Sequence, residues 1–232
     1  MTLFVVLLAS GLIIAAIVWW RALLRQRARY IDSYPYAKYL DRRLAARRPE
    51  LTAAQRKRVF DGLREYFQLC REAGNRLVAM PSQAVDDAWH EFILFTRQYH
   101  QFCDRGLGRF LHHTPAEAMR TPTDAQDGIK RAWRLSCRRQ GIDAQAPKSL
   151  PTLFALDATL GIVGGFVYRL DCLAAPTGSD FCAGHIGCGG SCSGSTGGSG
   201  DSSGGDSSGG DAGDGGGSSG DGCGGGGGCG GD

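Results

Sequence analysis

The feature that most constrains this chain is an uncharged run at its N-terminus. Residues 3–20, LFVVLLASGLIIAAIVWW, hold no charged side chain. A helix of this length reaches roughly 27 Å at about 1.5 Å per residue, close to the roughly 30 Å of a bilayer's hydrocarbon core. The run ends in Trp19 and Trp20, and tryptophan is enriched where spans meet the lipid headgroups. The run therefore predicts a transmembrane helix that contacts the lipid bilayer through residues 3–20.

The charges that follow the run predict its orientation. Four arginines come soon after Trp20, and no charged side chain precedes the run; they are Arg21, Arg25, Arg27 and Arg29. Basic flanks stay on the cytoplasmic side. We therefore predict a single-pass protein of the bacterial inner membrane, with the N-terminus outside and the body in the cytoplasm. The alternative is a cleaved signal peptide, which normally has a basic start and an A-x-A-like cleavage site, and neither is present.

The other end of the chain has a different composition. Among residues 183–232, Gly occupies twenty-five of fifty positions, and six Asp stand without any Lys or Arg. This segment has too few apolar side chains to offset the entropy of ordering its backbone. We therefore predict a disordered tail at 193–232, after a cysteine-rich segment at 172–192. The acidic tail leaves the rest of the chain basic. A membrane flank explains that charge better than nucleic-acid binding does.

The region between these ends carries a helical pattern. Apolar residues recur three or four positions apart, which is the spacing of one helix face. The best example lies between a Thr52 N-cap and Gly74, with Val59, Leu63, Phe67 and Cys70 on its apolar face. Further helices are predicted near residues 36–47, 82–103, 124–140 and 151–162. We expect a mainly α protein with a transmembrane anchor at 1–29 and a compact helical domain at 30–171, followed by the two C-terminal segments.

Three stretches of the body carry a resemblance to known proteins. VDDAWHEFILFTRQYHQFC, FLHHTP and RAWRLSCRRQGID, with a Gly/Cys-rich end, resemble the bacterial glycine-rich domain-containing proteins. Asp86, Trp89 and His90 also match the VD-x-x-WH element of the plant glycine-rich domain proteins. The resemblance implies a membrane anchor, a helical body and a Gly-rich terminus. It implies no established catalytic residue.

Histidines concentrate in the same stretch. Asp86 and His90 are four apart on one predicted helix, so their side chains can meet, and His112 and His113 follow on a loop. If the loop returns along its helix, two imidazoles and a carboxylate would form a zinc-type metal site with an open position. That arrangement would suit a metal-dependent hydrolase. The alternative is a structural Asp86–His90 pair that locks helix to loop and leaves one loop histidine exposed.

Two further parts of this stretch resemble catalytic motifs. His90-Glu91 begins an H-E-x-x-H metalloprotease signature, but Leu94 stands where the second histidine belongs, so that motif is absent. His100 is predicted on the apolar helix face near Cys103. This spacing suits a Cys–His nucleophile, although a buried histidine beside an inert thiol is the commoner arrangement.

The best-spaced ligand cluster lies near the C-terminus. Cys182, His185, Cys188 and Cys192 stand two or three residues apart with Gly between them, which lets a chain wrap a soft ion such as zinc. The alternative is a mobile thiol-rich stretch without a preformed site. Because little loop entropy is lost on closing so short a ring, we predict that this cluster holds metal more tightly than the histidines of the body. Cys70, Cys103 and Cys137 are instead expected to be buried core residues.

Together these features favour a membrane-anchored binding or scaffolding module over an enzyme. Zinc is the expected metal, and the helical body could bind a protein partner. A hydrolase that uses Asp86, His90 and either His112 or His113 is the alternative. A third hypothesis is that the Gly/Cys-rich tail is modified or exported, although the sequence has no obvious leader-cleavage signal.

Overall fold

A computed structural model describes residues 2–113, 122–170, 181–182 and 186 of the 232-residue chain. The described part is mainly α, as the sequence predicts. Its elements are α1 (Thr2–Ser33), α2 (Tyr36–Arg47), α3 (Ala53–Ala73), α4 (Gln83–Ile93), α5 (Thr96–Phe102), a π-helical turn (Cys103–Leu107), α6 (Pro122–Gln140) and α7 (Thr152–Leu160). Two short strands, β1 (Tyr168–Arg169) and β2 (Phe181–Cys182), pair in parallel. The glycine-rich tail predicted at 193–232 lies outside the described residues.

Helix α1 combines an apolar N-terminal part with a C-terminal part that belongs to the core. One stretch of it is long and apolar enough to cross a membrane, a property that N-terminal signal sequences share. Further along, Ile31 is fully buried. Gln68 Nε2 donates to Ala28 O at 2.9 Å and to Asp32 Oδ1 at 2.7 Å. The predicted boundary between anchor and domain, at residues 29 and 30, therefore falls inside one uninterrupted helix.

Helix α3 is the central helix of the body. Its start is a capping box, because the Thr52 hydroxyl accepts from Gln55 N while the Gln55 side chain accepts from Thr52 N. The predicted apolar face is confirmed, since all four of its residues are buried. Gly62 lets two neighbours approach closely: a Cβ there would lie 2.9 Å from Val85 Cγ2 and 3.0 Å from Leu156 Cδ2. Helices α4 and α7 thus pack directly against the α3 backbone.

An aromatic cluster joins α1, α2 and α3 to the histidine-containing segment. Phe67 and Phe102 have ring centroids 4.7 Å apart, and Phe92 packs edge-on against Phe102 at 5.2 Å. Tyr34 and Tyr36 extend the same cluster to the start of α2. Aromatic pairs of this kind stabilise a core beyond the burial of their area. They fix α4 and α5 against the rest of the body.

A buried carboxylate joins α7 to the start of α4. Asp157 accepts from Ser82 Oγ at 2.6 Å, from Gln83 N at 2.6 Å and from Ala84 N at 3.3 Å. It also accepts from Phe166 N at 2.9 Å. The first N–H groups of a helix lack partners within the helix, and an anion is favoured there. Asp157 therefore fixes where α4 begins.

The single helix predicted between Ser82 and Cys103 is wrong in one respect. It breaks at Leu94 and Phe95, where Phe95 adopts φ −83° and ψ 59°, outside the helical region. The break changes the helix phase, so that Tyr99 and Phe102 are buried while Thr96 and His100 are exposed. An uninterrupted helix would have placed Thr96 and His100 on the apolar face.

Candidate metal site on helix α4

Helix α4 presents three different faces to its surroundings. Val85 and Trp89 enter the core, and the Trp89 ring packs against Tyr66 at 5.1 Å. Asp86 and His90 lie on a flank that faces the loop at residues 110–113. Asp87 lies on the face of α4 that contacts α2. Positions four apart share a helix face, so the short sequence VDDAWH determines which residues lie on each of the three faces.

A chain of hydrogen bonds holds the histidine loop against α4. Trp89 Nε1 donates to the Tyr99 hydroxyl at 3.0 Å, and that hydroxyl donates to Leu111 O at 2.5 Å. All three residues are buried. The loop backbone is therefore tied to the core two residues before His113.

Asp86, His90 and His113 converge at this point. His113 Nε2 lies 3.0 Å from Asp86 Oδ1, and His90 Nδ1 lies 3.3 Å from Asp86 Oδ2. One potential ligand atom from each residue lies within 4.8 Å of the others. The two imidazole rings are 4.2 Å apart, and the His113 ring also packs on Trp89 at 4.6 Å. The side chains are partly buried, with His90 the most exposed at 39%.

One atom of this group lacks a hydrogen-bond partner. His90 Nδ1 is buried, and although it lies near Asp86 it makes no hydrogen bond to any described residue. An unpaired buried nitrogen costs free energy unless something else binds it. Tetrahedral ligands of zinc lie about 3.3–3.6 Å apart, since zinc binds nitrogen and oxygen at about 2.0–2.2 Å. The separations of 3.0 and 3.3 Å involve different oxygens of Asp86, and one donor atom from each of the three residues lies within 4.8 Å of the others. This set of nitrogen and oxygen donors suits a metal of this kind.

The neighbouring histidine is not part of the group. His112 is exposed, and its ring packs on Phe110 at 4.7 Å. Sequence reasoning left His112 and His113 as equal alternatives, and the loop geometry brings His113 to Asp86. The two residues differ because adjacent side chains in an extended segment point in opposite directions.

An ion-pair network on the other side of α4 was not foreseen from the sequence. Asp87 is buried and accepts from Arg47 Nε at 2.9 Å and from Arg48 Nε at 2.6 Å. Glu91 is bonded to Arg43. The spacing of Asp87 and Glu91 on one helix face, with arginines repeated on and just after α2, was the available signal. The network orients α4 and keeps these two carboxylates away from the histidines.

The predicted proximity of His100 to Cys103 in the core is wrong. His100 is 63% exposed, and its Nδ1 lies 3.0 Å from Asp104 Oδ2. Cys103 is buried, and that burial raises the pKa of its thiol. Burial likewise raises the pKa of the Cys70 thiol to about 12. At neutral pH such thiols carry even less thiolate than a free cysteine, so they are core residues rather than nucleophiles.

The C-terminal ligand cluster falls almost wholly outside the described residues. The backbone of Cys182 forms part of β2, while His185, Cys188 and Cys192 are not described. The prediction of a soft metal site there stays a prediction.

Comparison with known proteins adds one relationship. The family model described as UCP032817-like matches residues 26–186, which is more than half of the chain. The matched range includes α4, the histidine loop and the basic end of α1. No curated protein and no solved structure matches the chain.

Proposed function

We propose that this chain, which belongs to the UCP032817-like family, is a membrane-tethered binding module that holds one transition-metal ion. The ligands are Asp86, His90 and His113. The observation that carries the proposal is the convergence of these three side chains from a helix and a separate loop. The unpaired His90 Nδ1 supports it, because a metal ion would supply the missing partner.

The donor atoms favour zinc. Two imidazoles and one carboxylate form the ligand set of many zinc sites that keep an open fourth position. Imidazole also suits copper, nickel and iron, whereas calcium and magnesium prefer oxygen ligands alone. A fourth ligand from water or from a partner would complete the coordination. The site therefore suits a module that binds a partner through its metal.

Replacing His113 by alanine should weaken zinc binding by at least about 10–100-fold, a loss typical even of residues that only orient a ligand. The measurement is zinc affinity of full-length protein that carries Cys188→Ser, in detergent under reducing conditions, with a competing chelator. His112→Ala is the matched control, because it removes the adjacent exposed imidazole. It should leave the affinity unchanged.

Cobalt substitution distinguishes this site from the C-terminal cysteines. Thiolate ligands give cobalt strong near-ultraviolet charge-transfer bands, which nitrogen and oxygen ligands lack. In a Cys188→Ser variant, which lacks one predicted ligand of the Cys182–Cys192 cluster, bound cobalt without those bands is expected. Metal lost on Cys188→Ser but retained in His113→Ala would assign it to the Cys182–Cys192 cluster and overturn the proposal.

We further propose that α1 stays in the membrane and that the body is cytoplasmic. The arginines after Trp20 support this orientation. Kinship with the glycine-rich domain-containing proteins, bacterial origin and an inner-membrane location are part of the same proposal. A fluorescent reporter fused after Asp232 should fold and emit in the cytoplasm, whereas a phosphatase that works only outside should be inactive. Phosphatase activity, or release of a shortened soluble form, would contradict the proposal.

A metal-dependent hydrolase on the same three ligands is the second candidate. The exposure of His90 favours it, because solvent and a small substrate could reach the open coordination position. Glu91, the carboxylate nearest in sequence to His90, is engaged by Arg43 and is not free to act as a base. Zinc-dependent turnover of an ester or phosphate substrate, lost in His113→Ala and kept in His112→Ala, would favour the hydrolase.

A further inference from the structure

The loop that follows the π-helical turn lies against the basic end of α1. Arg27 Nη1 donates to Leu107 O at 3.4 Å. Gly108 has a positive φ of 73°, and a Cβ at this position would lie 2.2 Å from Arg27 Nη2. The Arg27 guanidinium therefore occupies the space beside Gly108. Arg27 is seven residues beyond Trp20, which is about 10 Å along a helix.

This contact places two more arginines near the end of the apolar run. Arg105 in the turn is exposed, and Arg109 follows Gly108. Arg109 Nη2 donates to Cys70 O at 3.4 Å, so one edge of its guanidinium contacts α3. Together with the four arginines of α1 they form a basic ring, which consists of Arg21, Arg25, Arg27, Arg29, Arg105 and Arg109.

The charges of the basic ring are not neutralised within the body. None of its arginines forms an ion pair with a carboxylate of the described residues, whereas Arg43 and Arg47 of α2 and Arg48 just after it all do. Two acidic side chains close in sequence to these arginines are engaged elsewhere, since Asp104 pairs with His100 and Asp32 accepts from Gln68. The positive charge of the ring is therefore not balanced by any carboxylate of the described residues.

We propose that the basic ring binds the phosphate groups of anionic phospholipids. The inference rests on the proposed retention of α1 in the membrane. The headgroup layer occupies about 5–8 Å on each side of the hydrocarbon core, and the potential of an anionic surface extends about a further 8–10 Å. All six arginines then lie within reach of that potential, and Arg105 and Arg109 add binding groups that the helix alone lacks. Each basic residue near such a surface contributes about fivefold in association.

Quenching of tryptophan fluorescence by brominated lipids tests the proposal. Trp19 and Trp20 are exposed next to the ring, whereas Trp89 and Trp133 are buried in the body. Full-length protein is reconstituted in phosphatidylcholine vesicles that contain an equal fraction of brominated phosphatidylglycerol or brominated phosphatidylcholine. We expect the anionic lipid to associate about fivefold or more strongly, and the preference to fall as salt is raised. Exchanging chloride for inorganic phosphate at equal ionic strength should not change it.

Two double variants of equal charge locate the binding groups. Arg105→Gln with Arg109→Gln should reduce the anionic preference several-fold. Arg42→Gln with Arg58→Gln, which changes exposed arginines of α2 and α3, should leave it unchanged. Equal quenching by both lipids, or a preference that survives the Arg105/Arg109 change, would overturn the inference. Absence of quenching by either lipid would instead overturn the membrane anchor itself.

Discussion

Replacing Trp89 by alanine is expected to lower the free energy of unfolding by about 3–5 kcal/mol. The side chain is only 3% exposed and packs against the rings of Tyr66 and Phe67. Its removal leaves a cavity beneath α4 and takes away the indole N–H that Tyr99 accepts. Denaturant unfolding of the full-length protein in detergent, followed by circular dichroism, measures the change.

Two further variants separate packing from hydrogen bonding. Trp89→Phe keeps a ring in the core and loses the donor, so it should cost less than the alanine change and still loosen the loop that carries His113. Leu94→Ala removes a side chain that is 62% exposed and should cost within about 0.5 kcal/mol. A loss below about 1 kcal/mol for Trp89→Ala would show that the indole is not a core residue.

Replacing Asp157 by alanine is expected to cost a similar amount, about 3–5 kcal/mol. The Ser82 hydroxyl and the Ala84 N–H would remain buried without their acceptor, at about 1–3 kcal/mol for each such group. The favourable interaction of a carboxylate with the N-terminus of α4 would add about 0.3–1 kcal/mol to the loss. The same unfolding measurement applies.

The matched variant for this change is Asp157→Asn. It keeps the shape and one acceptor oxygen, but its amide would direct hydrogen towards N–H donors such as Gln83 N and Phe166 N. An intermediate loss is therefore expected. Asp104→Ala, which removes an exposed carboxylate, should have little effect. A loss for Asp157→Ala as small as that for Asp104→Ala would show that Asp157 does not hold the start of α4.

The elements that could be predicted correctly are those whose start, apolar face and end are determined by residues within the same stretch of chain. Helix α3 has a capping box, a regular apolar face and a glycine at its end, and each signal is contained within one stretch of chain. The break at Leu94 and Phe95 was missed because the local pattern also suits an unbroken helix. Tertiary packing of Phe92, Tyr99 and Phe102 decides the phase there, and no local pattern encodes it.

The candidate site could be predicted only in part. The i, i+4 spacing brings Asp86 and His90 together on any helix, so that pair follows from sequence. The position of His113 beside Asp86 depends on a hydrogen bond from the Tyr99 hydroxyl to the Leu111 carbonyl, which the sequence cannot reveal. The role of Asp157 was missed for the same reason, since its partners at the start of α4 lie about 75 positions away in the chain.

The continuity of α1 has a mechanical consequence. Residues 21–33 contain neither proline nor glycine, so nothing between the apolar run and the buried Ile31 allows the helix to kink sharply. With α1 retained in the membrane as proposed, a span that is longer than the local bilayer would adjust by tilting. Because α1 enters the core as a stiff rod, any such tilt would rotate the whole body with it. Bilayer thickness would then set how far Asp86, His90 and His113 stand from the lipid surface.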